Sequence, residues 1–146
     1  MSVWKGMVAG LIATLAMLGL LFLVSATGLV PGLEAAGALP GLDPGAASGP
    51  ATGWLIHLLL GTVLWGGLFA LLYPGLPGGG IAKGVVFSVV PWLVTMLVLM
   101  PAADAGLFAL RLGLAVPVAT LILHAIFGAV LGAVYERMIV REPALI

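Results

Sequence analysis

The apolar residues of this chain fall into four long blocks, separated by stretches rich in glycine, proline and charge. The first block, 3–30, is interrupted only by Lys5 and by small or hydroxylated residues. It exceeds the roughly 20 residues that cross a hydrocarbon core. A cleaved leader is the rival reading, because Val24-Ser25-Ala26 resembles a small-residue cleavage site. The apolar stretch after Lys5 is longer than the roughly 7–15 residues of a leader's apolar region, so a retained helix is expected. The second block, 53–73, is ended by Pro74-Gly-Leu-Pro-Gly-Gly-Gly80, a strong stop signal. The third, 81–100, carries Pro91 in mid-span, which predicts a kink because proline removes one backbone bond and crowds the preceding turn. A cavity beside that kink would be its functional use. The fourth block, 117–136, opens on Pro117, whose missing N–H costs nothing in a first turn.

Between the blocks, 31–52 is rich in Gly, Pro and Ala with Glu34 and Asp43, and it reads as a long solvated external loop. Residues 107–116 carry Arg111 among apolar neighbours and read as a cap on the outer surface. The expected fold is all-α: one polytopic membrane domain, 1–146, with four transmembrane helices.

Composition reinforces this reading. Hydrophobic residues make up 63% of the chain and charged ones only 7%, against roughly 25% charged in soluble domains. So much apolar surface has no place in water, and the lipid bilayer is the expected partner. Net charge is zero, which gives no basis for a nucleic-acid partner. The chain has no cysteine, so disulfides, thiolate nucleophiles, Fe–S clusters and Cys-ligated zinc are excluded.

The few charges set an orientation. If the helices alternate, Lys5, Lys83, Arg137 and Arg141 fall on one side and Arg111 alone on the other. The positive-inside bias then places both termini and the Tyr73–Lys83 link in the cytoplasm. Trp4, Trp54, Tyr73 and Tyr135 lie near the expected interfaces.

The chain also echoes itself. His57 and His124, its only histidines, each stand seven residues after a proline, Pro50 and Pro117, and four before a glycine, Gly61 and Gly128. Val63-Leu64 matches Val130-Leu131 at the same offset, and Lys5-Gly6 echoes Lys83-Gly84 at an offset of 78 residues. Helices 1–2 and 3–4 therefore read as two tandem hairpins, a parallel internal repeat. Both histidines are expected roughly 10 Å below the outer helix ends and facing the bundle interior. Gly61, Gly128, Gly132, Gly6, Gly10 and Gly84 are the expected helix-packing positions, since small residues four apart allow close backbone approach. His57, Gly61 and Trp65 are expected on one face.

An ionisable group inside a bilayer is a candidate functional site. The structural alternative is that each imidazole donates one hydrogen bond to a carbonyl or a threonine hydroxyl, of Thr62, Thr95 or Thr120, and holds helices together. The sharper reading makes His57 and His124 axial ligands of a b-type haem in the bundle core, with Arg111 meeting a propionate. A metal site is disfavoured, because two histidines without cysteine or an embedded carboxylate fall short of a three- or four-ligand set. The acids lie in loops or near helix ends, which argues against a transporter. No catalytic motif is present, so no enzyme is expected; Gly78-Gly-Gly80 lacks the Gly-Lys-Ser/Thr of a phosphate loop.

Lys83-Gly84, Pro91-Trp92 and His124-x-x-x-Gly128 together resemble a family of small uncharacterised four-helix membrane proteins of bacteria and archaea. The resemblance covers most of 53–136 and implies topology and a prokaryotic plasma-membrane location, with no activity. The expectation is a non-enzymatic accessory or scaffolding component, without a cofactor unless haem b is bound, that packs as a homo-oligomer or in a larger membrane complex. A haem-binding electron-transfer subunit is the alternative, and a small-molecule permease is least favoured.

Overall fold

The computed structural model describes residues 2–39 and 51–140. Every regular element among them is helical. Four helices are long and apolar enough to cross a membrane: α1 (Val3–Ala26), α3 (Ala51–Gly75), α4 (Gly80–Ala102) and α5 (Ala115–Val140). A short helix, α2 (Leu33–Gly37), lies between the first two.

Each boundary has a local cause. α1 stops at Ala26 rather than near residue 30, because Gly28 turns into the left-handed region at φ 69°. α5 starts two residues before Pro117. Proline is still accommodated there, since the first four helical N–H groups have no intrahelical partner. The helix also continues past 136 to Val140.

Residues 33–39 correct the expectation of a solvated loop over 31–52. Leu33, Ala36, Gly37 and Leu39 are buried, because α2 closes the mouth of the bundle against α1 and α5. Gly53 passes so close to the Ala38 carbonyl that a side chain there would collide with it. The rest of that stretch, 40–50, lies outside the described residues.

The bundle buries several polar side chains and turns many large apolar ones outward. Lys5, Thr14, His57, Ser88, Thr120 and His124 are buried, while Leu15, Leu23, Leu55, Val98 and Val118 are among many large side chains turned outward. Glycines set the backbone crossings. A methyl group on Gly10 would sit 2.6 Å from the Gly61 carbonyl oxygen and 2.9 Å from Gly66 Cα, which locks α1 to α3. Gly84 and Gly128 block each other in the same way, as do Gly80 and Gly132, and these contacts lock α4 to α5. Such approach lets dispersion and backbone contacts act where lipid supplies no hydrophobic drive.

α1 also packs along α5, with Ala9 and Ala13 joining Phe127, Leu131 and Tyr135 in one core. α3 and α4 meet instead through rings: Phe87 lies 5.2 Å from Phe69 and 6.2 Å from Trp65.

The end of the bundle bearing Lys5 and Lys83 is tied by charge. Lys5 Nζ donates to the Met138 carbonyl at 2.9 Å, and Lys83 Nζ donates to the Tyr73 carbonyl at 2.9 Å. Each cation thus sits at carbonyls near the C-terminal end of a helix, where it is favoured. Glu136 accepts from Tyr73 Oη at 3.1 Å and from the Gly80 N–H at 2.8 Å. A carboxylate on α5 thereby caps the N-terminus of α4.

Candidate functional site: a histidine-lined cavity

His57 and His124 open onto one cavity of about 180 Å³ between α3, α4 and α5. α1 contributes Met17 to its wall, and Leu39, just beyond α2, also lines it. Trp65 and Phe127 close the apolar side. A narrower void of about 20 Å³ also touches both histidines and Met17, and adds Met96 and Thr120.

Both imidazoles are held the same way. His57 Nδ1–H donates to the Gly37 carbonyl at 2.7 Å, and His124 Nδ1–H donates to the Thr120 carbonyl at 2.8 Å. A carbonyl only accepts, so each Nδ1 must carry the hydrogen. In the neutral ring this leaves Nε2 as a lone-pair acceptor. The anchors differ in origin. His124 bonds one turn back on its own helix, whereas His57 reaches across to α2. Of the two expected kinds of partner, both bonds go to backbone carbonyls and neither to a threonine hydroxyl, and only that of His57 joins two helices. Thr120 Oγ1 instead donates to the Val116 carbonyl at 2.8 Å, and Thr95 Oγ1 donates to the Pro91 carbonyl at 2.9 Å. Thr62 Oγ1 is buried without a hydrogen-bond partner.

The cavity sits where two helices loosen. α3 makes a π-turn at Leu60–Trp65 and α4 makes one at Thr95–Leu99. Both turns contribute lining residues, as does Pro91. Proline at 91 deletes one backbone donor in α4, and single π-turns inside helices recur at functional sites. The π-turn in α3 also changes which residues share a face. Five residues, not four, separate positions one turn apart, so Gly66 rather than Trp65 follows Gly61 onto the α1 contact. His57, Gly61 and Trp65, expected on one face, all line the cavity.

The other expected residues are placed as follows. Gly6 packs against Gly66 and Ala70, while Gly10, Gly84, Gly128 and Gly132 sit at the crossings already described. Arg111, the candidate propionate partner, is paired with Asp104 and exposed on the surface. Among the described residues no three His, Asp or Glu side chains converge as a metal-binding group. Two participants escaped sequence reasoning: Met17, which reads as packing in an apolar run, and the Gly37 carbonyl.

No curated protein and no solved structure matches the chain. Residues 1–145 match DUF6789, a family of unknown function, and the chain belongs to that family.

Proposed function

We propose a non-enzymatic integral membrane protein: four spanning helices arranged as two tandem hairpins, with both termini cytoplasmic, whose role is to hold a small ligand in the histidine-lined cavity. The observation that carries this reading is the pair of anchored imidazoles that line one shared cavity, each with an acceptor Nε2 not used by its anchoring bond. An apolar space of about 180 Å³ suits a ring-sized molecule, since a cavity of roughly 150 Å³ accepts benzene. Two acceptor nitrogens favour a ligand that brings a hydrogen-bond donor or an electrophilic centre. As an accessory component, the protein would present that ligand to a larger membrane assembly.

Membrane insertion is supported by the outward-facing large apolar side chains and the inward polar ones. The tandem arrangement is supported by equivalent contacts. Gly10 meets Gly61 as Ser88 meets Gly128, and Lys5 and Lys83 each reach the late carbonyls of the other hairpin's second helix.

Imidazole ¹⁵N NMR in lipid nanodiscs tests the ligand reading, because only two histidines contribute. The expected spectrum has protonated Nδ1 and unprotonated Nε2 in both rings. Phenol should shift both Nε2 resonances saturably, and benzene should not. Protonated Nε2 in both rings, or no response to phenol, would sink the reading.

A b-type haem is the second reading, favoured by the pairing of two imidazoles. The enclosed space is below the roughly 300–1,000 Å³ of drug-sized sites, so a macrocycle would require α3 and α4 to part. A sharp low-spin absorption spectrum that disappears in His124→Ala would establish it, and a featureless spectrum from haem-replete cells would remove it.

A further inference from the structure

We propose that the cavity is a monovalent copper site, with Met17 Sδ and the Nε2 atoms of His57 and His124 as ligands. This inference rests on the ligand-binding reading above and names the ligand's class. Three donors from three helices line the same space: Met17 on α1, His57 on α3 and His124 on α5. Met17 is 4% exposed, so its thioether has no other environment than the bundle interior.

The second shell is already in place. Metal-binding histidines commonly donate the other ring N–H to a carbonyl or carboxylate, which fixes the tautomer and raises ligand basicity. Gly37 and Thr120 supply such carbonyls at 2.7 and 2.8 Å. No ligand needs to lose a proton first, because thioether and neutral imidazole both coordinate as they stand.

Charge and softness select the ion. Among the described residues no Asp or Glu lines the cavity, so none of them neutralises a divalent cation, whose burial in low dielectric is far more costly than that of a single charge. Zinc sites are typically completed by a third or fourth ligand from Cys, His, Asp or Glu, and no three such side chains converge among the described residues. Thioether and imidazole donors suit Cu(I), and sulfur is the soft ligand that separates it from harder ions. Cu(I) also accepts low coordination numbers. Trp65, on the same wall, adds an aromatic ring to which a cation is attracted.

The test is an anaerobic titration of the full-length protein in nanodiscs with Cu(I) buffered by a competing chelator, followed by X-ray absorption and imidazole ¹⁵N NMR. The expected result is one copper per chain, two nitrogen scatterers and one sulfur scatterer, with both Nε2 resonances shifted. Met17→Leu should weaken binding at least about tenfold and remove the sulfur scatterer. Met138→Leu, at the Lys5 end of the bundle, should change neither, and the melting temperature of each variant checks its fold. Undiminished affinity with sulfur retained in Met17→Leu would overturn the assignment. If phenol binds and Cu(I) does not, the metal proposal is wrong and the ligand reading stands. If neither binds, both are wrong.

Discussion

The two hairpins meet along two seams, and they differ. Along α1–α5, Ala9 and Ala13 let the helices close on Phe127 and Leu131. Along α3–α4, the residues 78 positions later are Phe87 and Pro91, and the helices stand apart on stacked rings. In the proposed repeat these seams are equivalent, so two small-to-bulky exchanges are enough to turn a closed contact into a chamber. The closed seam supplies rigidity and one ligand, Met17. The open seam supplies volume. The proposed repeat would give the histidines equivalent positions, and the bulkier seam leaves a cavity that both of them line.

The largest expected effect comes from removing the prop. Phe87→Ala should cost about 3–5 kcal/mol, as for other buried Phe truncations, and should enlarge the chamber. Unfolding in detergent would measure the loss, and a cost under 1 kcal/mol would mean that Phe87 does not hold the seam open. Next comes the converse. Ala9→Phe on the closed seam should cost about 1–3 kcal/mol through overpacking. Val94→Phe, beside the chamber and partly exposed, should stay within about 0.5 kcal/mol. Equal costs would erase the distinction between the seams. The smallest difference is at the lysines. Lys5 is 3% exposed, and Lys5→Met should cost about 1.5–3 kcal/mol as a buried charged hydrogen bond is lost. Lys83 is only half-buried, and Lys83→Met should cost about 0.3–1 kcal/mol.

Much of this architecture was legible in the sequence because spanning length and apolarity are local properties. Four blocks could be counted without knowing any contact, and Gly84 and Gly128 stood out as small residues at helical spacing. What stayed hidden depends on long-range partners or on the backbone. α2 is five residues long in a Gly- and Ala-rich stretch, too short for periodicity to register, and it is held by burial against the bundle. The carbonyls that hold the histidines belong to every residue alike, so side-chain identity could not single out Gly37. Glu136 read as a charge at a helix end, and its service to the N-terminus of α4 exists only once α5 lies beside it. Met17 stays hidden because a thioether inside an apolar run has the same sequence signature as ordinary packing.

The π-turn in α3 has a consequence for how this chain tolerates changes in length. An ordinary helix that gains one residue rotates everything beyond it by about 100°, which would swing Phe69 out of the core. The wider turn at Leu60–Trp65 takes up the extra residue as a local loop of backbone, so His57 before it and Gly66 after it both keep their facing. A single-residue deletion confined to that turn, for instance of outward-facing Val63, should therefore leave a spanning helix in register. The same deletion one turn later would not. A membrane helix can in this way carry a spare residue at the wall of its own chamber, and the shape of that chamber can vary while the bundle around it stays fixed.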